Sequence, residues 1–484
     1  MRRTKIIATL GPSSEDPEKI KELIETGVNV FRLNFSHGDQ NYHRILFQRV
    51  RSVAQTLKLP VGILQDLSGP KIRVCEVKRP FMVHKGETVE IIKKEVIGEK
   101  RDGIAIISID RPQILEDLKE GDTVCLADGQ IKLTVISNLF DRVLTQVVQG
   151  GTISSRKGVN FPGVRLSIPA FTEKDRDDLI FGLRMGVDFV ALSFVNNKND
   201  VMECRKVIEE FGSGQPIFSK IETENALKEI DSILEVSDGI LIARGDLGVE
   251  IPLERVPIEQ KRLVEKARAK NKIVVVATQM LNSMVHSSAP TRADISDIAN
   301  AVLDGADALM LSDETAVGEF PTESVRMMAK TIKEAEKVYP YFQQIFDEES
   351  PDYAIAKSSC ILAKEIKASA IVVFTKSGSS AFRVAKFRPR TPIVANVHDP
   401  EILNRLTVIW GVKPYMVLSG IDDPSRMVEE FLSQAHKDSF IKGEETIVLT
   451  MGYPVGKVGS TSLIRVLRPD QIRETLQRKI EFSA

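Results

Sequence analysis

Pro216-Ile-Phe-Ser-Lys-Ile-Glu222 and Gly239-Ile-Leu-Ile-Ala-Arg-Gly-Asp246 are two short apolar runs that end in charge. Each reads as a buried parallel strand, since such strands are apolar on both faces, and in α/β folds their C-terminal ends are where ligands sit. Lys220, Glu222 and Asp246 are therefore expected to meet at one rim. A hard cation takes carboxylate oxygens and a phosphate takes an ammonium, so the trio suits a divalent metal and an anionic substrate.

Six further runs share this character: Lys5-Ile-Ile-Ala-Thr-Leu, Val28-Asn-Val-Phe-Arg-Leu-Asn34, Val61-Gly-Ile-Leu-Gln-Asp66, Asp188-Phe-Val-Ala-Leu-Ser-Phe, Ile273-Val-Val-Val-Ala-Thr278 and Ala308-Leu-Met-Leu-Ser312. Amphipathic stretches separate them, such as the one opened by Asp16-Pro17, where Asp suits the cap and Pro the first helical position. Eight βα units over about 250 residues fit an α/β fold of the TIM (β/α)8 type better than an open sheet. After the third run the text changes to short alternating segments and turns, including Asp128-Gly129, the mark of an inserted β-rich cap. Its hinges are expected near Ser68-Gly69-Pro70 and Phe161-Pro162-Gly163.

A linker near Tyr339 to Pro351 precedes a second α/β pattern with four strands, starting at Ala370, Pro392, Pro414 and Glu445. The expected division is a barrel of residues 1–69 and 163–338, a barrel-like β cap of 70–162, a C-terminal α/β domain of 352–471 and a tail of 472–484.

With 484 residues and 42% hydrophobic content the chain has material for several cores. The 66 Lys and Arg balance 67 Asp and Glu, and aromatics are only 6%, so neither a basic field nor a stacking platform for nucleic acid is present. No run approaches the ~20 apolar residues of a membrane helix, and no secretory leader is evident. Cys75, Cys125, Cys204 and Cys360 are scattered without metal-site or disulfide spacing, which fits a cytoplasmic protein. The histidines lack ligand spacing, and Arg388-Pro-Arg390 reads as a turn.

Polar residues finish nearly every barrel run: Arg32, Asn34 and Ser36; Asp66, with Arg73 behind; Lys220 and Glu222; Asp246; Thr278; Ser312 and Glu314. One such residue could simply cap a helix. A full ring of them at one mouth is a set of buried charges that must pair with one another or with a ligand.

Five of these segments, Phe31-Arg-Leu-Asn-Phe-Ser-His-Gly38, Ser219-Lys-Ile-Glu222, Ala243-Arg-Gly-Asp-Leu-Gly-Val-Glu250, Ala277-Thr-Gln-Met-Leu281 and Met310-Leu-Ser-Asp-Glu-Thr-Ala316, together resemble the pyruvate kinase family. The likeness runs to about residue 470 and implies transfer of the phosphoryl group of phosphoenolpyruvate to ADP, giving pyruvate and ATP. By that resemblance Glu222 and Asp246 hold Mg²⁺ (or Mn²⁺), and Arg32 and Arg73 clamp phosphate. Lys220 stabilises charge on the phosphoryl group and the enolate oxygen. Gly245 and Asp246 offer backbone N–H groups to the carboxylate, and Thr278 contacts substrate. Thr278 and Ser312, with water, are both candidates for the step that protonates the enolate. Asn34, Ser36, His37, Arg73 and Lys157 match nucleotide or phosphate contacts, although Lys157 also reads as a solvated hinge lysine.

The chain departs from the family at one place. Many members have glutamate where Lys71 stands and threonine where Leu67 stands, beside a K⁺ pocket matching Asn34, Ser36, Asp66 and Leu67. Lys71 is expected to supply the unit charge that K⁺ supplies elsewhere. In the C-terminal domain Phe374-Thr-Lys-Ser-Gly-Ser-Ser-Ala381 offers Thr375, Ser377, Gly378, Ser379 and Ser380 as a loop for a phosphorylated allosteric effector, joined by a later loop from Gly452 to Thr461. A capped helix without ligand fits the same residues. The resemblance further implies a homotetramer. A metal-dependent lyase or aldolase on a similar barrel and a silent metabolite sensor are the rival readings; the first has little need of Arg73, Lys157 and a cap, the second little need of Lys220, Glu222, Asp246 and Thr278.

Overall fold

The computed structural model describes residues 1–483 other than 102, 343–349 and 454–460. Part of the expected linker and most of the later effector loop therefore lie outside the described residues.

The eight runs are the eight strands of one closed barrel. They are β1 (Lys5–Thr9), β2 (Val30–Asn34), β3 (Gly62–Asp66), β4 (Phe189–Leu192), β5 (Ile217–Ile221), β6 (Gly239–Ala243), β7 (Ile273–Ala277) and β8 (Ala308–Leu311). Each pairs in parallel with its sequence neighbour, and β8 returns to β1 with Ile7 opposite Met310. The helices between them start as their sequences dictate. Asp16 accepts the Glu18 N–H with Pro17 in the first turn. Thr172 with Asp175, and Thr291 with Asp294, form reciprocal capping boxes.

Alternation along each strand divides the barrel core into two layers. Phe31, Leu33, Ile63, Ile217, Ile221, Ile240 and Leu309 face outward and pack under the helices. Ile7, Val30, Leu64, Phe189, Ala191, Phe218, Leu241 and Val275 face inward, and their cluster is continuous with Val384, Ile393 and Leu406 of the C-terminal domain. The bottom of the barrel is thus sealed by that domain, and the top is left for chemistry.

The cap strands leave after β3 and return before β4. They form a seven-stranded sheet running from Val159–Asn160 to Glu99–Arg101 and a two-stranded ribbon, and the segment from Arg73 to Val77 bridges the two ends of the sheet, pairing with Gly158 on one side and with Ile109 and Gly98 on the other. Both expected hinges contain a glycine in the left-handed region, Gly69 at φ 63° and Gly163 at φ 74°. The Asp128-Gly129 turn joins Thr123–Leu126 to Ile131–Asn138.

In the C-terminal domain β9 (Ala370–Thr375), β10 (Ile393–Val397), β11 (Val412–Val417) and β12 (Ile447–Gly452) are parallel, in the order β11-β10-β9-β12. A fifth strand, β13 (Thr461–Leu467), adds antiparallel to β12 and had not been expected. It is a half-exposed edge strand, so its apolar pattern is broken by Ser462 and Arg465. The stretch expected as a tail continues the helix Pro469–Ser483, whose Ile472 is buried in the domain core.

Arg388, in the segment read as a turn, is 1% exposed. It crosses the domain boundary to Asp307 at 3.0 Å and the Gly305 carbonyl at 2.9 Å, and lies 4.6 Å from the Trp410 ring centre. A turn sequence carries no sign that an arginine in it will be the bolt between two cores.

Candidate active site

The inward register of the barrel strands delivers the polar side chains. Moving two residues up from the apolar inner layer leads from Val30 to Arg32, from Leu64 to Asp66, and from Phe218 to Lys220 and then Glu222. These side chains converge because neighbouring strands reach the mouth in register: Arg32 pairs with Leu64 and Asn34 with Asp66.

Lys220, 8% exposed, is the centre of the group. Its Nζ lies 2.8 Å from Ser193 Oγ, 2.9 Å from Glu222 Oε1 and 3.4 Å from Asp66 Oδ1. Arg32 Nε donates to Asp66 Oδ2 at 2.6 Å, and its Nη1 donates to Thr9 Oγ1 at 3.1 Å. Burial disfavours the Lys220 charge, but the Asp66 and Glu222 carboxylates outweigh it and hold the lysine above its ordinary value. Burial likewise works against Asp66, yet Lys220 and Arg32 keep it below the usual carboxylate range.

Glu222 behaves differently. Burial, reinforced by the Asp246 charge, raises its pKa against the opposing pull of Lys220. Its Oε2 accepts the Phe194 N–H at 2.7 Å, while the buried Oε1 has only the Lys220 ammonium, 2.9 Å away, beside it. A buried carboxylate whose charge is opposed by a second carboxylate, Asp246, fits a divalent cation. Two protein carboxylates leave room for the waters and substrate oxygens that Mg²⁺ retains. Among the described residues no group of three or more His, Cys, Asp or Glu is arranged to hold a metal.

Gly245 and Asp246 open the short helix Arg244–Glu250. The Gly245 N–H donates to Thr278 Oγ1 at 2.8 Å, and that hydroxyl donates to the Ala277 carbonyl at 2.6 Å. Thr278 has φ 70°, a conformation that a β-branched residue adopts only under constraint and that concentrates at functional sites. Ser312 Oγ is buried without a partner, and Glu314 Oε2 accepts the Ser312 N–H at 2.8 Å.

A cleft of about 340 Å³ separates cap from barrel and is lined by His37, Lys71, Arg73, Arg156, Asp246 and Glu250, among others. This volume is within the range of small-molecule sites. The Arg73 N–H donates to Asp110 Oδ1 at 2.9 Å, tying it into the cap. Burial, then the charges of Lys71, Arg73 and Arg32, lower the His37 pKa. Lys71 is exposed to the cleft, but the surrounding walls and the Lys220 charge lower its pKa, opposed by Asp246, Glu222 and Asp66. It therefore shares one field with those carboxylates. The Ser36 N–H donates to Asn34 Oδ1 at 3.2 Å. Lys157 is exposed and does not line the cleft; its neighbour Arg156 does, at φ 64°.

Three residues at the mouth were not singled out from sequence: Thr9, Ser193 and Glu250. The first two were legible, since Ile7 to Thr9 and Ala191 to Ser193 repeat the two-residue step that leads to Arg32 and Lys220. Glu250 lies on no strand. Burial raises its pKa to about 7 against backbone N–H groups of Glu224 and Gly163, the latter in the cap hinge.

In the C-terminal loop the Gly378 N–H donates to Thr375 Oγ1 at 3.1 Å and Ser377 Oγ to Ser379 Oγ at 3.1 Å. Ser380 Oγ meets Thr461 Oγ1 at 2.5 Å. Gly378, at φ 87°, caps the helix Ser379–Lys386 without a side-chain hydrogen bond.

An ammonium and a guanidinium set among carboxylates at the mouth of a (β/α)8 barrel, under a β cap, define an enzyme class that neutralises a dense anion, as phosphoryl transfer requires. Family models narrow the class: "Pyruvate kinase, barrel domain" matches residues 1–325 and "Pyruvate kinase, alpha/beta domain" matches residues 353–467. The chain belongs to the pyruvate kinase family. It is 43% identical over 472 residues to pyruvate kinase 2 of Synechocystis sp., covering 96% of this chain and 79% of that one. It is 40% identical over 472 residues to the pyruvate kinase of Thermotoga maritima, covering 97% and 100%. A crystal structure of a pyruvate kinase from Cryptosporidium parvum superposes with a TM-score of 0.90 at 36% identity, covering 96% of each chain. Among the described residues no helix is long and apolar enough to cross a membrane.

Proposed function

We infer that this phosphotransferase moves the phosphoryl group of phosphoenolpyruvate to ADP, giving pyruvate and ATP in the last step of glycolysis, at the mouth of its barrel. The observation that carries the reading is the Lys220 ammonium, buried between Asp66 and Glu222. As the phosphorus–oxygen bond of the substrate breaks, charge spreads over the transferring group and grows on the enolate oxygen. Lys220 meets both with a preorganised cation in a site where water screens it little. Arg32, fixed by Asp66 and Thr9, and Arg73 bind the phosphate through their donor forks.

Glu222 and Asp246 hold Mg²⁺, or Mn²⁺ in its place, which supplies positive charge to substrate oxygens when bound. The Gly245 N–H and the Thr278 hydroxyl, already paired with each other, seat the substrate carboxylate. Thr278 and the unpartnered Ser312 hydroxyl orient the water that returns a proton to the enolate carbon. Asn34, Ser36, His37 and Arg73 form the nucleotide side of the cleft, with Lys157 reaching it on cap closure.

Lys71 stands in for the monovalent cation that relatives hold near Asn34, Ser36, Asp66 and Leu67. The support is that Lys71 lines the same cleft as Asp246, where Asp246, Glu222 and Asp66 favour its charge against burial and the Lys220 ammonium. Further parts of the reading are a cytoplasmic homotetramer and a phosphorylated effector at the loop Thr375 to Ser380.

The test is pyruvate formation from phosphoenolpyruvate with Mg²⁺ in buffer lacking K⁺ and NH₄⁺, with and without ADP. Pyruvate and ATP should appear in equal amounts and only with ADP. Pyruvate formation without ADP would favour a lyase, and strong dependence on added K⁺ would refute the role of Lys71.

A further inference from the structure

Lys220 is held by three oxygens, and only one of them is neutral. Ser193 Oγ, 2% exposed at residue level, lies 2.8 Å from Lys220 Nζ, 2.7 Å from the Leu67 carbonyl and 3.3 Å from Asp66 Oδ1. A hydroxyl has one proton to give. The shorter contact takes it, so Ser193 donates to the Leu67 carbonyl and turns its lone pairs toward the ammonium.

We propose that Ser193 is a positioning residue for phosphoryl transfer, anchoring the Lys220 ammonium to the end of β3 without consuming its charge. The proposal rests on the role given to Lys220 above. Asp66 and Glu222 hold the same ammonium, but each also partly neutralises it, and an anionic substrate must compete with both. The Ser193 contact is neutral and need not break when the substrate arrives. Its donation to Leu67 keeps the acceptor face fixed, so Nζ does not have to reorganise as charge develops. Ser193 reaches the mouth because Phe189, Ala191 and Ser193 are successive inward positions around the end of β4. Gly69 lets the chain after β3 pass close by, since a Cβ there would lie 2.8 Å from the Phe194 ring and 3.0 Å from the Ser193 Cβ.

The experiment compares Ser193→Ala, Ser193→Thr and Ser193→Cys with the parent enzyme, reading kcat and KM for phosphoenolpyruvate together with the thermal midpoint. Loss of a hydrogen bond to a charged group that matters chiefly in the transition state should lower kcat about 10- to 100-fold in Ser193→Ala, with KM changed less than about threefold. Ser193→Thr, which keeps the hydroxyl, should return to within about threefold of the parent kcat. Ser193→Cys keeps the volume but is a poor acceptor, so it should behave like alanine and serves if the alanine variant does not fold.

Several results would overturn the proposal. These are a Ser193→Ala or Ser193→Cys enzyme with the parent kcat, a raised KM at unchanged kcat, or equal losses in all three variants in step with a lower thermal midpoint. A parent chain without turnover would instead refute the assigned reaction, and a Lys220→Met chain with normal turnover would refute the lysine's role.

Discussion

At the barrel mouth Lys220 sits between Asp66 and Glu222, whereas at the opposite end Lys5 and Lys386 are just as deeply buried but meet mainly carbonyls and other cations. Lys5 donates to the Val412 carbonyl and Lys386 to the Lys272 carbonyl at 2.8 Å. Burial and the neighbouring Arg2 bring Lys5 down to about 7, although Glu336 opposes them. Burial brings Lys386 to about 7 as well, with Arg388, Arg268 and Lys272 adding to it against Asp307. Lys220, subject to the same burial, is raised. The contrast teaches that depth does not decide the charge of a buried lysine; the carboxylates around it do. Carbonyl partners serve a docking interface, while a catalytic cation needs counter-charges that a substrate can displace.

The largest effect should come from removing one lysine at each end. Lys220→Met is expected to lower kcat by about a thousandfold or more while leaving Mn²⁺ binding at the two carboxylates in place. Lys386→Met should leave kcat within about twofold and the thermal midpoint unchanged or higher, since it replaces a poorly paired cation by an apolar chain. Equal activity losses at the two ends would erase the distinction.

The bottom interface has its own charge pair, between Arg388 and Asp307. Asp307→Asn should destabilise the protein by about 3 kcal/mol, because it leaves a buried guanidinium uncompensated and weakens the acceptor of the Val274 N–H. Urea unfolding would measure it, and a change within about 0.5 kcal/mol would show that Arg388 is held by Trp410 and the Gly305 carbonyl alone.

Stability should also depend on pH in a direction set by the bottom lysines. Lys5 and Lys386 release their protons near 7 when folded and near the ordinary 10.5 when unfolded. Between those values the unfolded chain binds more protons, so stability rises with pH. The slope is at most about 1.4 kcal/mol per pH unit for each lysine. Double replacement of Lys5 and Lys386 by Met should flatten this rise in a series of unfolding curves.

The smallest effect concerns the mouth's second lysine. Lys71→Glu should make turnover depend on K⁺, falling about tenfold in its absence and recovering when it is added, because a unit charge near the carboxylates has been reversed. A variant indifferent to K⁺ would remove Lys71 from the electrostatic account.

Much of this was legible in the sequence, because a (β/α)8 barrel writes each strand as an unbroken apolar run and each functional side chain at its end. All eight runs became barrel strands, and the charges that finish β2, β3 and β5 came together. What escaped has physical causes. Ser193 stands one residue past the end of β4, where only the alternation of faces along the strand marks it. The edge strand Thr461–Leu467 is too polar to announce itself. Arg388 lies in a turn whose burial depends on a second domain. The positive φ of Thr278 is imposed by the site and has no glycine to mark it.

The most direct measurement is a titration of individual lysine side chains by NMR, with assignments from Lys220→Met and Lys386→Met, from about pH 5 to about pH 10. The account predicts that the Lys386 signal moves with a midpoint near 7 while the Lys220 signal stays that of an ammonium throughout. A Lys220 signal that titrates within that range, or a Lys386 signal that does not, would contradict it.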